Sequence, residues 1–337
     1  MEKVDMDTIT LAHGSGGKLT HDLIEKLFLK ELSNPTLKEL ADSGVVNIPK
    51  GKIAFSIDSF VVKPLFFPGG DIGKLAICGT VNDLAVVGST PQHIACAIIA
   101  EEGLKMDILR KVTRSIKVAA KAAGVKVITG DMKVVAKGEC DGLFVITAGV
   151  GVAKNPSRIS IDRVKPGDKI ILSGTVGDHG IAVLEARERL GFQASVKSDC
   201  APLNGLIDSI ITKGVKFMRD PTRGGLATTL NEMVKGAGFG IEIDEGKVPV
   251  SGSVKAACEL LGFDPLYIAN EGKIVVVVAS KDADRVLKTM RRHRYGKDAA
   301  IIGEVVTGHR GKVYSKTSIG GMRMLTMLTG AQLPRIC

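Results

Sequence analysis

Strand-like runs alternate with helical ones along most of this 337-residue chain, and that alternation confines it to mixed α/β architectures. Strands are expected near residues 53–57, 94–99, 125–129 and 143–152, with an N-terminal helix over 22–32 behind a glycine-rich segment. The turn formers Ala153-Lys154-Asn155-Pro156-Ser157 break the rhythm and place a domain boundary there. Beyond it come a strand over 169–172, helices over 181–190, 203–212, 226–235 and 254–261, and the unbroken β-branched run 274–279, which reads as a central strand. Strands at 300–306 and 312–314 follow, and Gly191 and Gly262 are natural helix C-caps. A chain this long exceeds what one core usually supports. The expected division is 1–154, 155–331 and a mobile tail 332–337.

No stretch is apolar enough to span a bilayer and the acidic start is not a signal peptide, so the protein is expected in the cytoplasm. None of the six cysteines falls in a C-x-x-C pair, so neither a zinc knuckle nor a redox dithiol is indicated. The net charge of +10 is spread over helix faces such as 107–123, and 10 Phe with 3 Tyr give little surface for stacking bases. That disfavours nucleic acid and suits a nucleotide or an acidic partner protein.

His13-Gly14-Ser15-Gly16-Gly17-Lys18 can turn several backbone N–H groups toward an anion, although its spacing is not that of a P-loop. Asp58 and Asp131 follow expected strands, and Asp83 interrupts the apolar run 76–87. An ionised carboxylate in such surroundings costs on the order of 3 kcal/mol or more unless compensated. Metal ligation is the economical explanation: Asp58, Asp83 and Asp131 would hold Mg²⁺, and Mg²⁺ a triphosphate, in an ATP site outside the P-loop class. The turn Arg219-Asp220-Pro221-Thr222-Arg223-Gly224-Gly225 opens onto a helix, where phosphate is favoured, and Glu271 in Asn270-Glu271-Gly272-Lys273 is a candidate general base. The sequence finishes on Leu333-Pro334-Arg335-Ile336-Cys337, where a thiol can enter a pocket end-first on an extended arm.

Taken together, His13-Gly-Ser-Gly-Gly17, Asp58-Ser-Phe60, the segment from Pro64 to Gly73, Gly79-Thr-Val-Asn-Asp-Leu84, Gly130-Asp131, Asp220-Pro-Thr-Arg-Gly-Gly-Leu226, Asn270-Glu-Gly-Lys273 and Pro334-Arg-Ile-Cys337 resemble the HypE family of hydrogenase maturation factors. That family lies within the aminoimidazole ribonucleotide synthetase and selenophosphate synthetase superfamily. The resemblance implies two α/β domains of the synthetase type, a homodimer formed through the N-terminal sheet, and ATP with Mg²⁺ as cofactors. It also implies the activity of a carbamoyl dehydratase: Cys337 receives a carbamoyl group from HypF, ATP phosphorylates its oxygen, and loss of phosphate leaves a thiocyanate. The cyano group then passes to the HypC–HypD complex. Gly14 to Lys18, Asn82, Arg223 and Gly224 would bind the nucleotide, Glu271 would be the base and Lys133 would steady the phosphate. Where the family usually shows Gly-Asp-Thr-Lys, this chain has Gly130-Asp131-Met132-Lys133, which takes away a hydroxyl. The competing readings are another synthetase of the superfamily, disfavoured by the lack of a thiol at 13–18, and a silent ATP-binding carrier of a modified Cys337.

Overall fold

The computed structural model describes residues 8–15, 18–40, 43–153, 159–188, 196–211 and 214–327. Gly16, Gly17, Gly191, Cys337 with the rest of its tail, and all of the boundary segment except Ala153 lie outside the described residues.

Helix α1 (Lys18–Leu23) passes through a π turn (Ile24–Phe28) into α2 (Leu29–Leu32), so the expected N-terminal helix begins earlier, at Lys18. Asn34 caps the short α3 (Pro35–Lys38) by accepting the Leu37 N–H. Strand β1 (Lys52–Phe60) is followed by a small ladder of β2 (Phe66–Phe67) and β3 (Gly70–Asp71). Helix α4 (Ile72–Val86) then starts at Asp71, whose carboxylate accepts the N–H groups of Gly73 and Lys74. Strands β4 (Thr90–Glu101), β5 (Lys126–Val135) and β6 (Leu143–Ala153) join β1 in one sheet, in the order β1-β6-β4-β5. Helix α5 (Met106–Ala123) makes the crossover between the parallel neighbours β4 and β5; its buried Leu109, Val112, Ile116 and Ala120 recur at helical spacing.

One face of this sheet is covered by α4 and α5 and packs Phe60, Ile94, Cys96, Ile98 and Val145 into a core. Along β1 the alternation sends Ile53, Phe55 and Ile57 to the other face, where Phe55 is 75% and Ile57 70% exposed. Asp58 and Asp131 lie within β1 and β5, not beyond strand ends as the sequence suggested. A strand side chain points out of the ladder, so a carboxylate need not end the pairing.

The rest of the chain builds a seven-stranded sheet in the order β13-β12-β9-β11-β7-β10-β8. Its strands are β7 (Lys169–Leu172), β8 (Val215–Arg219), β9 (Gly240–Asp244), β10 (Val275–Val278), β11 (Ala300–Val306), β12 (Val313–Lys316) and β13 (Met322–Leu325). Its helices are α6 (Asp178–Glu188), α7 (Asn204–Ile210), α8 (Gly225–Val234), α9 (Gly252–Leu261), which ends at the left-handed Gly262, and α10 (Ala283–Arg292). Leu226 and Leu230 of α8 pack with Ile170, Leu172, Val275 and Val277, whereas α7 and α10 pack with Ile171, Val276 and Val278. Sandwiched in this way, β10 is buried at every position, which accounts for its four valines.

The two halves interlock. Ala85 and Val86 of α4 belong to the core of the second sheet, while Val183, Cys200 and Ala269 belong to the first. Helix α4 is therefore buried on every side, with only Lys74 and Asp83 reaching out of the packing. No helix among the described residues is long and apolar enough to cross a membrane.

Candidate active site

Where α4 meets the second half, a cavity of about 60 Å³ is lined by Asp58, Ser59, Phe60, Gly79, Asp83, Asp220, Thr222, Arg223 and Glu271. Strand β1 supplies Asp58, α4 supplies Asp83, and the turn from β8 to α8 supplies Asp220, Thr222 and Arg223. Glu271 lies in the loop before β10 and is 4% exposed. Thr80 Oγ1 donates to Asp58 Oδ2 at 3.0 Å, and Ser56 Oγ donates to Asp83 Oδ2 at 2.8 Å. Two hydroxyls thus aim the carboxylates while leaving their other oxygens for the cavity.

Burial, followed by the charge of Asp83, pushes the Asp58 carboxyl up to about 6 against the pull of Thr80 and Arg223. Asp220 is pushed up to about 7, first by burial and then by Asp83. Glu271 is raised well above the usual carboxylate range, first by burial and then by Asp199, Asp220 and Asp58. Such mutual repulsion marks a place where positive charge is wanted, and hard oxygen donors suit a small divalent cation. Among the described residues, however, no three His, Cys, Asp or Glu side chains stand together as a metal cluster.

Asp131 is not part of this cavity. Asp58 pairs with Thr147, Thr147 with Cys96 and Cys96 with Gly130, so the two aspartates sit on the opposite edge strands, about 14 Å apart at the usual strand spacing. Asp131 shares its cross-strand row with Ala97, Ile146 and Ser59, and therefore faces the open side of the sheet, away from Asp58. Lys133 lies beside it, Nζ 3.1 Å from Asp131 Oδ2, and is likewise absent from the cavity lining. Within a single chain Asp58 and Asp83 line one cavity with Asp220, and Asp131 stands apart with Lys133.

A second cluster gathers around Asp131. Gly14 presses on β5 so closely that a Cβ there would lie 2.4 Å from the Val134 nitrogen, which brings Ser15 and the exposed Lys18 to the same edge. Beneath the N-terminal helices lies a mostly apolar cavity of about 200 Å³ lined by Ile24, Phe28, Leu37, Ile116 and Ile128, with Thr20, Thr129 and Asp131 among its polar groups. Met132 is buried against this cavity, so a hydroxyl at that position would face inward rather than toward the open side where Asp131 points.

The Asn82 side chain is buried and its amide is engaged within the protein. Its Nδ2 donates to Ala201 O (3.1 Å) and Glu271 O (3.3 Å), and its Oδ1 accepts the Leu203 N–H (2.7 Å). In this structure that amide is a fastening between the halves. Gly224 lies outside the cavity lining and is the left-handed N-cap of α8 (φ 75°), a conformation natural to glycine. Asp220 and Thr222 were missed as site residues. The signal was present in Asp220-Pro-Thr-Arg-Gly-Gly, read only for its arginines.

Residues 40–153 match the N-terminal domain, and 165–316 the C-terminal domain, of AIR synthase related protein. The chain is 45% identical over 341 residues to the carbamoyl dehydratase HypE of Azotobacter vinelandii, covering 100% of both sequences. A crystal structure of the hydrogenase maturation protein HypE in complex with ATP superposes with a TM-score of 0.94 at 45% identity, covering 98% of this chain and 100% of that one. A HypE–HypF complex matches with a TM-score of 0.80 at 48% identity, covering 91% of this chain and 99% of that one.

Proposed function

The chain belongs to the carbamoyl dehydratase HypE family of hydrogenase maturation proteins, and on that premise we propose that it uses ATP to dehydrate a carbamoyl group carried on Cys337. The product is a thiocyanate, which supplies the cyanide ligand of a [NiFe] hydrogenase. The observation that carries this reading is the cavity at the junction, where Glu271 faces Asp58, Asp83 and Asp220 beside Arg223.

An amide oxygen leaves poorly as hydroxide and readily as phosphate, which is why a dehydration needs ATP. The carbamoyl oxygen attacks the γ-phosphorus, the bond to the β-phosphate oxygen breaks and ADP departs. Two protons leave the nitrogen over the two steps, the C–O bond breaks, and the electron pairs close to S–C≡N with release of phosphate. The overall change is carbamoyl-Cys plus ATP to cyano-Cys, ADP, phosphate and one proton. Glu271 takes a nitrogen proton, and the burial that raises its pKa makes it a stronger base once ionised. Arg223 and Lys133 hold phosphate oxygens. Asp58, Asp83 and Asp220 would hold Mg²⁺, which supplies charge neutralisation to the phosphates when bound.

Two copies are proposed to make one working site. The open face of the N-terminal sheet carries the exposed Ile53, Phe55 and Ile57 together with Asp131. Pairing two such faces buries the apolar stripe and brings Asp131 and Lys133 of one copy toward the β1 edge of the other. The 200 Å³ cavity suits a flat heterocycle such as adenine, with Gly14, Ser15 and Lys18 near the phosphates. HypF is the proposed carbamoyl donor, the HypC–HypD complex the acceptor, and the cytoplasm the compartment.

The test is mass spectrometry of the Cys337 peptide. With HypF and carbamoyl phosphate it is expected to gain a carbamoyl group, and with Mg-ATP then to lose the mass of one water. Cys337→Ala is expected to do neither. A carbamoyl group found on another cysteine, or retention of the water after ATP, would overturn the proposal.

A further inference from the structure

The segment 198–204 fastens onto both halves of the molecule and ends up behind Glu271. On the N-terminal side Ser198 N–H donates to Pro68 O (2.8 Å), Leu203 N–H to Asn82 Oδ1 (2.7 Å) and Asn204 Nδ2 to Ala123 O (2.7 Å). On the other side, Asp199 Oδ1 accepts the Glu271 N–H at 3.0 Å and Asp199 Oδ2 accepts Lys273 Nζ at 3.1 Å. The Asp199 side chain is 3% exposed and that of Lys273 10%. The backbone fits as closely as the side chains, because a Cβ on Gly272 would lie 1.8 Å from the Asp199 carbonyl oxygen. Asn82 holds the Glu271 carbonyl from the opposite side.

Asp199 uses one carboxylate oxygen for the Lys273 ammonium. Asp199 spends its other oxygen on the peptide N–H of Glu271 itself. We infer that Asp199 is a positioning residue, which fixes the Glu271 backbone in register with Asp58 and Asp83, and that Lys273 holds Asp199 in that place. The inference rests on the reading of Glu271 as the base. It adds the residue that ties the base, carried by one half, to the carboxylates carried by the other.

The experiment uses the full chain carbamoylated by HypF, with single-turnover and steady-state rates of water loss. Asp199→Ala and Lys273→Met are expected to lower kcat at least about tenfold while the KM for ATP changes less than about twofold, since a slight misplacement of the base slows chemistry without touching nucleotide binding. Lys273→Arg, which keeps the charge, is expected to recover kcat to within about threefold. Asp168→Asn weakens a separate buried ion pair, with Lys216 Nζ 2.6 Å from Asp168 Oδ1, and serves as a control that lowers the melting temperature and leaves kcat in place. If Asp199→Ala does not fold, the two Lys273 variants decide. Unchanged kcat in the Asp199 and Lys273 variants, or a loss that Lys273→Arg does not recover, overturns the inference while Glu271→Gln still stalls dehydration. A Glu271→Gln protein that dehydrates at the wild-type rate overturns the base assignment instead.

Discussion

Around one small cavity, Asp58, Asp220 and Glu271 hold protons that most carboxyls have lost by about pH 5. For Asp220 the folded value near 7 lies above an unfolded value of about 3.9, so folding is helped at low pH and that help is lost as pH rises between the two. Asp220→Asn carries no charge to bury. Its stability relative to wild type, without metal or nucleotide, is expected to grow by on the order of 3 kcal/mol from pH 4.5 to pH 8, seen as a widening gap in melting temperature. Millimolar Mg²⁺ is expected to narrow that gap at pH 8, because a cation stabilises the charged wild-type carboxylate and not the amide. A gap that stays constant with pH would mean that this carboxyl is not strained. Asp83 was legible in the sequence because a lone carboxylate within an apolar helical run demands a compensating charge or hydrogen bond. Asp220 was not, since an aspartate before proline in a turn looks like ordinary turn chemistry. Asp83→Asn is expected to abolish Mg-ATP turnover with the fold retained, checked by ADP release alongside circular dichroism.

Periodicity found most elements, and it failed where an element has little to bury. Helix α10 was not read because only Ala283, Val286 and Met290 of its ten residues enter the core, and β8, β9 and β13 because charged or exposed positions break their apolar runs: Lys216 and Arg219 in β8, Glu242 and Asp244 in β9, and every residue of β13 except Leu325. Strands β1 and β5 were read short for a different reason, as Asp58 and Asp131 looked like terminators although their ladders run on to Phe60 and Val135. Helix α4 has the opposite problem. Apolar on every side, it offers no face by which periodicity alone could orient it, so the partners of Asn82 are supplied only by the fold. Removing that amide leaves the Leu203 N–H and the Glu271 and Ala201 carbonyls without it. Asn82→Ala is therefore expected to cost about 2 to 4 kcal/mol, read by urea unfolding, with a much smaller effect on ATP affinity measured by calorimetry at a temperature where the variant is folded. A large loss of affinity with unchanged stability would return Asn82 to the nucleotide.

At the scale of the molecule the fold class, the alternation into two α/β halves and the family were all legible, because each rests on patterns carried within one chain. The distance between Asp58 and Asp131 was not, since strand order places their strands at opposite edges of the sheet and adjacency in sequence carries no such information. That separation, together with Phe55 and Ile57 on the open face, is what favours a site completed by a second copy. Phe55→Asp with Ile57→Asp is expected to give monomers by light scattering and to remove ATP turnover together with the dimer. Complementation separates a shared site from an internal one. In a mixed dimer of Asp83→Asn and Asp131→Asn chains, a site that takes Asp83 from one copy and Asp131 from the other has one position doubly mutated and one position intact. With equal amounts and random exchange half of the dimers are mixed, so mixing two inactive proteins is expected to restore about a quarter of wild-type dehydration. Were both aspartates used within one chain, every site in the mixture would carry one mutation and no activity would return.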